Sequence, residues 1–296
     1  MTVEQFVSTI ATLAGLTFVV GSMFATGLSL TVGQIVQPLK NARLVILALI
    51  ANFALVPLLG YVITLVIPLD EPLKVGLIVL STVAGAPFLI KEVQASKGKL
   101  SLGVGLMFLL MIVTIFYVPL VLPLLLPGVD VNAGEIAKSL IVTMLIPIVI
   151  GLMVRSHSAE GAKHWAPVMN RVSGIALLLM LVAGLGLNIS NIIDLVGSYG
   201  FLALVVFVVG SLAIGFVCGG RDAGVRSTLG LGTAQRNVAA AILVASLNFA
   251  GTDTLTYVLV ASIVLPLILL PAAKLIGKRG KAGADGPAAS DVTALA

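Results

Sequence analysis

Gln235, Arg236 and Asn237 stand in the middle of LGLGTAQRNVAAAILVAS, residues 229 to 246, a stretch otherwise apolar enough to span a bilayer. A guanidinium in hydrocarbon costs about 3 kcal/mol even on the most lenient scale, so an intramembrane arginine by default faces a cavity or a partner. It keeps its charge when buried and can grip a carboxylate through two parallel N–H donors. The chemistry on offer is therefore recognition of an anion, with Gln235 and Asn237 as neutral donors and acceptors beside the charge. A second polar pair, Lys91 and Glu92, follows Gly85 and Pro87 in VGLIVLSTVAGAPFLIKEVQAS, residues 75 to 96. Lysine there would add positive charge, and a glutamate entering a cavity could carry a proton.

Each of these residues has a plainer reading. Arg236 lies ten residues after Arg226, and the plain reading has it reach the cytoplasmic surface. At 1.5 Å per residue, however, that separation is about 15 Å, half the hydrocarbon thickness. Lys91 sits closer to the Lys97 loop, so reaching for the surface and lining a cavity are equal alternatives. Glu92 could line the cavity, or form a structural ion pair with Arg236 that pins two spans together. Asn52, five residues before Pro57 in LIANFALVPLLG, is either interhelical glue or a ligand-binding amide. Ser81, Thr82 and Thr233 could equally bond their own helix carbonyls.

Several functions lack the residues they need. Intramembrane hydrolases require paired aspartates, a Ser–His dyad or a zinc motif such as H-E-x-x-H. The only histidines, His157 and His164, are placed by the sequence in a loop after the fifth span. Cys218 stands alone, which excludes disulfides and multi-cysteine metal sites. The protein is thus expected to be no enzyme and to hold no metal cofactor. A channel remains a rival, because broken helices also build filters, but there is no repeated carbonyl-loop motif and no ring of like charges.

The elements that must position the polar residues are membrane helices. Of 296 residues, 59% are hydrophobic and only 10% charged, with a mean hydropathy of +1.19. Such a chain cannot hide its apolar surface in a water-soluble core. A span needs about 20 apolar residues. Clean runs are 6–30, 44–67, 100–126, 195–220 and 254–273, with 136–154 and 165–189 charged near one end. Residues 75–96 and 227–250 have the length but are interrupted, by Gly85 and Pro87 in one and by Gly230, Gly232 and the polar triplet in the other. The expected architecture is an all-α polytopic membrane protein of about nine transmembrane helices.

Lys40, Arg43, Lys97, Lys99, Arg155, Lys163, Arg221, Arg226 and the segment KLIGKRGK fall on one set of loops. The alternate loops hold mostly Glu and Asp. The positive-inside rule then places the N-terminus outside and the C-terminus in the cytoplasm, which accounts for the net charge of +5 without a nucleic-acid partner. No cleavable signal precedes the first apolar run, and a prokaryotic cytoplasmic membrane is the expected location. Residues 1–277 form one transporter domain, and 278–296, small and polar, are expected to be a disordered cytoplasmic tail.

Paired, interrupted spans in two halves of a chain point to the binding site of a secondary transporter built from inverted repeats. The segments GLSLTVGQIVQPLKNARLV, ANFALVPLLG, SKGKLSLGVGL and GTAQRNVAAAILVAS, in this order and spacing, resemble the bile acid:sodium symporter family. The resemblance, which runs from about residue 10 to 277, implies a panel domain and a core domain whose two discontinuous helices cross near the bilayer centre. It also implies symport of an organic anion with sodium, bound around that crossing.

Under the resemblance Asn52 and Gln235 occupy family amide positions, with Thr233 and Glu92 as further candidates for ion coupling. Arg236, Asn237, Gln235, Lys91, Glu92 and Pro87 are the candidate substrate residues. The family's sodium-ligand positions, however, fall on Leu231, Leu89, Ile90, Gly103 and Met107, none with a side-chain oxygen, whereas sodium needs several oxygens. Sodium coupling is therefore doubtful. Arg236, together with Lys91, is expected to supply as fixed charge what sodium supplies elsewhere, leaving proton-coupled or uncoupled anion transport as alternatives. The substrate itself and the oligomeric state are not legible.

Overall fold

A computed structural model describes residues 3–127, 131–186, 199–249 and 251–284. The chain is helical throughout, with no strand among the described residues. Among the described residues, seven helices are long and apolar enough to cross a membrane: Thr9–Ser29, Ala42–Val66, Leu100–Leu125, Ala133–His157, Ala159–Ala183, Tyr199–Cys218 and Asp253–Lys278. The two interrupted segments are not single helices. Each is a pair of short helices separated by non-helical backbone, and neither half could span alone.

In chain order the helices are α1 (Val3–Ser29), a short α2 (Val32–Val36), α3 (Ala42–Val66, with a π turn at Ala51–Leu55), α4 (Glu71–Thr82) and α5 (Leu89–Ala95). There follow α6 (Leu100–Leu125), α7 (Ala133–His157, with a π turn at Ile141–Leu145), α8 (Ala159–Gly186) and α9 (Tyr199–Cys218). The chain ends with α10 (Ala223–Ala234), α11 (Val238–Asn248) and α12 (Asp253–Ala284). Both π turns directly precede a proline near the start of the next helical stretch, Pro57 and Pro147. A proline lacks the N–H of a regular ladder and clashes with the preceding turn, and an extra residue in that turn relieves the clash.

Helix starts follow local sequence. Asn41 accepts from the Leu44 amide at 3.2 Å, Asn132 from Glu135 at 3.1 Å and Asp222 from Val225 at 2.9 Å. Each side chain thereby satisfies one of the amides that a helix leaves unpaired at its start. The helices of 136–154 and 165–189 reach further than their apolar runs, so that His157 closes α7 and His164 lies inside α8 rather than in a loop. His164 meets the Trp165 ring edge-on. At the other end α12 runs on to Ala284, past the expected boundary at 277, and the rest of the tail lies outside the described residues.

Two groups of helices assemble. In one, α1 packs along α8 and α7. Gly27 and Gly151 let α1 and α7 approach so closely that a Cβ on Gly27 would stand 2.3 Å from the Ile148 carbonyl oxygen. In the other, α3, α6, α9 and α12 surround the four half-helices α4, α5, α10 and α11. Small residues at contacts give the close backbone packing on which membrane helices depend. The outer faces are apolar, with Val217 82%, Leu124 77% and Val66 74% exposed, as expected where lipid rather than water is the solvent.

Candidate substrate site at two helix breaks

The first break begins where α4 ends. Val83 is extended, and Gly85 takes φ +79, a left-handed conformation that costs glycine little. The break cannot swing freely, because Thr114 of α6 holds both polar atoms of Ala84. Its Oγ1 accepts from the Ala84 amide at 2.9 Å and donates to the Ala84 carbonyl at 3.1 Å. A Cβ on Gly85 would lie 2.2 Å from the Met111 amide nitrogen, so backbone meets backbone here.

The second break is the polar triplet itself. Gly230 and Gly232, expected to interrupt the helix, lie inside α10 and serve packing instead. The Phe216 ring covers Gly230, whose Cβ would meet it at 2.3 Å, and Leu106 covers Gly232. Gln235 leaves the helix with φ −74 and ψ 114, and Asn237 opens α11 by accepting from the Ala240 amide at 3.2 Å.

The two breaks touch. Asn237 Nδ2 donates to the Gly85 carbonyl at 3.0 Å. Arg236, with 0% exposure the largest wholly buried side chain among the described residues, donates from Nη1 to the Ser81 carbonyl at 3.3 Å and from Nη2 to Asn52 Oδ1 at 2.5 Å. Asn52 Nδ2 in turn donates to the Ala48 carbonyl at 3.0 Å and to Thr233 Oγ1 at 3.3 Å. A buried cation thus sits among neutral oxygens contributed by α3 and by the end of α4, with no carboxylate of the described residues bonded to it.

Beside the breaks lies a cavity of about 380 Å³, within the range of small-molecule sites. One wall is Phe18, Ser22 and Met23 of α1 with Asn170, Ser173 and Leu177 of α8. The opposite wall comprises Ala86, Pro87, Phe88 and Lys91 from the first break and Gln235, Arg236 and Asn237 from the second. Lys91 is exposed, and its ammonium lies 5.5 Å from the centre of the Phe88 ring. Two wall residues carry unmet hydrogen-bonding capacity: Arg236 Nε and Gln235 Oε1 are buried and without a partner.

Five of the sequence-derived substrate residues, Arg236, Asn237, Gln235, Lys91 and Pro87, therefore converge on one cavity. Glu92 does not. It is buried one residue beyond Lys91, off the cavity wall, and forms no ion pair with Arg236. Asn52 and Thr233 stand behind Arg236 rather than on the wall, and Asn52 bonds to Arg236 and Thr233 across spans. Ser81 and Thr82 donate to carbonyls of their own helix, yet the Ser81 carbonyl receives Arg236. Thr114 carried no distinguishing signal in the sequence.

The Sodium Bile acid symporter family matches residues 15–195. The chain belongs to that family. Its members are transporters rather than enzymes, and secondary transport is the activity that the matched relatives' names describe. The probable sodium/metabolite cotransporter BASS3 of Arabidopsis thaliana, a chloroplastic protein, is 26% identical over 200 residues, 67% of this chain and 46% of that protein. The probable sodium/metabolite cotransporter BASS2 of Oryza sativa, also chloroplastic, is 25% identical over 195 residues, 66% of this chain and 46% of that protein. An uncharacterized sodium-dependent transporter of Bacillus subtilis, YocS, is 23% identical over 211 residues, 66% of this chain and 61% of that protein. The chain spans about half the length of the curated plant relatives it matches. Where the two breaks of this chain meet, the Asn52 side-chain oxygen and the Ser81 carbonyl are already taken by guanidinium N–H donors.

Proposed function

We propose that this protein is a secondary carrier of a small organic anion that works by alternating access and uses Arg236 as a fixed cation at the place where relatives of this fold bind sodium. The observation that carries the reading is the pair of unpartnered atoms, Arg236 Nε and Gln235 Oε1, on residues that line a largely apolar cavity. A buried donor and a buried acceptor left unsatisfied each cost about 1–3 kcal/mol, and a ligand that fills both recovers that cost. The complementary ligand carries an anionic oxygen next to a hydrogen-bond donor on a compact apolar body. A carboxylate or sulfonate bearing a hydroxyl fits that description, and Lys91 adds attraction at the mouth.

Alternating access is supported by the cavity's two walls, which belong to different helix groups. The α1, α7 and α8 group is the counterpart of a panel, and the group holding the half-helices is the counterpart of a core. Counting each broken pair as one span gives nine, arranged as inverted repeats with the pairs crossing at mid-depth. The basic loops then lie in the cytoplasm, the N-terminus outside, and the membrane is a prokaryotic cytoplasmic one. Sodium coupling is disfavoured by Leu231, Leu89, Ile90, Gly103 and Met107 at the matching positions, and by the use of Asn52 as a guanidinium acceptor.

The test is uptake of labelled isethionate, a membrane-impermeant hydroxysulfonate, into proteoliposomes, with uncharged ethylene glycol as the control. Saturable uptake with counterflow, lost in Arg236→Ala, is the expected result. Conductance at channel rates, or equal uptake by the variant at equal protein content, contradicts the reading.

A further inference from the structure

Glu92 is the single acidic side chain among the described residues that is wholly inside the protein, with 0% exposure. Neither carboxylate oxygen has a hydrogen-bond partner. It lies on α5, one residue after Lys91, which opens on the cavity. Successive residues of a helix are turned by 100°, which carries Glu92 off the cavity wall and into the packing of α5 against α6, α10 and α12.

Among the described side chains, the titratable groups of those elements are bonded elsewhere or exposed. Tyr117 of α6 donates to the Phe53 carbonyl, Arg226 of α10 lies over the Phe216 ring, and Tyr257 of α12 donates to the Gly200 carbonyl. Asp253 lies in the first turn of α12, while Lys274 and Lys278 near its other end are exposed. On α5 itself Lys91 lies over Phe88, and the nearby Arg236 is bonded to Asn52 and Ser81. None of them donates to Glu92. An ionised carboxylate buried without a single donor is far costlier than a neutral acid, so the group carries a proton in this conformation.

We infer that Glu92 is an occluded proton-binding site and that a proton is the coupling ion of this carrier, a proposal that rests on the anion-carrier reading above. Arg236 is held by neutral oxygens and keeps its charge throughout the cycle, so it cannot act as a released coupling ion. Glu92 can, because it shares α5 with Lys91 and follows directly on the Pro87 and Phe88 wall. For Glu92 to meet water, the movement that opens the cavity to the other side of the membrane must also part α5 from α6, α10 or α12, which cover the carboxyl here. The carboxylate takes a proton from water on one side, forming one O–H bond, and returns it to water on the other. No oxidation or reduction is involved, and one proton with one monovalent anion moves no net charge.

Two readouts on the full chain test this. In lipid nanodiscs, infrared difference spectra should show an un-ionised carboxyl signal at neutral pH in the wild type that Glu92→Gln removes. In proteoliposomes loaded with pyranine, an inward gradient of isethionate should acidify the lumen. An inward proton gradient should drive about tenfold accumulation of labelled isethionate per pH unit, the equilibrium for one proton per anion. Glu92→Gln, which mimics the protonated acid and keeps the packing, should exchange isethionate in counterflow but neither acidify the lumen nor accumulate. Glu92→Asp should restore the carboxyl signal and some of the acidification. An unchanged infrared signal in Glu92→Gln overturns the proton site. Isethionate uptake by the wild type without acidification overturns the coupling while the carrier stands, and absence of both uptake and acidification overturns the carrier reading along with it.

Discussion

Arg236 Nη2 donates to Asn52 Oδ1 at 2.5 Å across 184 residues of sequence, and Asn52 is itself fixed by the Ala48 carbonyl and Thr233. An amide in this position orients the guanidinium without neutralising it. Asn52→Asp should therefore keep the fold, since a carboxylate still accepts from Arg236, but cancel the charge available to an anion. A carboxylate cannot donate as Asn52 Nδ2 does to the Ala48 carbonyl and Thr233, so we expect thermal stability in detergent to fall by about 1–3 kcal/mol, and isethionate uptake at least about tenfold weaker, equivalent to 1.4 kcal/mol or more. Undiminished uptake would show that Arg236 serves only as structural glue.

Arg236→Lys keeps a charge but cannot reach both Ser81 and Asn52 with fixed geometry, nor present a free Nε–H. Its KM for isethionate should rise about tenfold or more, the worth of one charge-assisted hydrogen bond of about 1.5–3 kcal/mol, with a smaller change in kcat. Arg236→Ala also leaves Asn52 Oδ1 and the Ser81 carbonyl without their donor and should be measurably less stable. Initial rates over a range of isethionate concentrations separate the two parameters.

The first break should be intolerant of small changes that never touch the cavity. Gly85→Ala would force a side chain into φ +79 and against the Met111 and Met107 backbone. Strain of about 1–3 kcal/mol adds to an overpacking penalty of similar size, and we expect thermal unfolding to report the loss. Thr114→Val keeps the volume but abandons both polar atoms of Ala84, for about 1–3 kcal/mol per buried group.

At the end where α6 and α10 begin, Lys99 Nζ lies 2.7 Å from Asp222 Oδ2, and the Lys99 amide donates to Thr228 Oγ1 at 2.9 Å. The hydrogen bond from Lys99, then that from the Val225 amide, holds the Asp222 carboxyl below its ordinary value of 3.8. A lowered folded-state value means that the group stabilises the fold above the ordinary carboxylate range and loses that contribution as pH falls through the folded-state value. Wild type should thus lose stability on acidification below the ordinary aspartate range more steeply than Asp222→Asn, which keeps the helix cap and lacks the titration. Thermal melts of the two across acid pH decide this.

Much of the site was legible because its signals are violations of the membrane's own rules. An arginine, a glutamine and an asparagine in sequence inside an apolar span, and a glycine with a proline in another, cost too much to be there without a cavity or a partner. Gly230 and Gly232 misled for a physical reason: a glycine inside a packed helix admits a neighbour such as the Phe216 ring as readily as it breaks the helix. Glu92 and Lys91, adjacent in sequence, were read together, but the 100° between them sends one to the cavity and the other into the packing. The threonine at 114 looked like any other in an apolar span, since only tertiary structure sets it opposite Ala84. α7 extends beyond its apolar run at both ends and α8 at its start, because polar helix turns continue into the interface, which hydropathy alone does not register.

If the Arg236 guanidinium takes the role of a bound cation where the two breaks meet, transport needs no sodium. The decisive experiment is initial isethionate uptake into proteoliposomes with sodium replaced throughout by choline, for wild type and Arg236→Ala side by side. Wild type should take up isethionate equally in the two media, and the variant should be inactive in both. Wild-type uptake that disappears in choline, with Arg236→Ala still active in sodium, would contradict it.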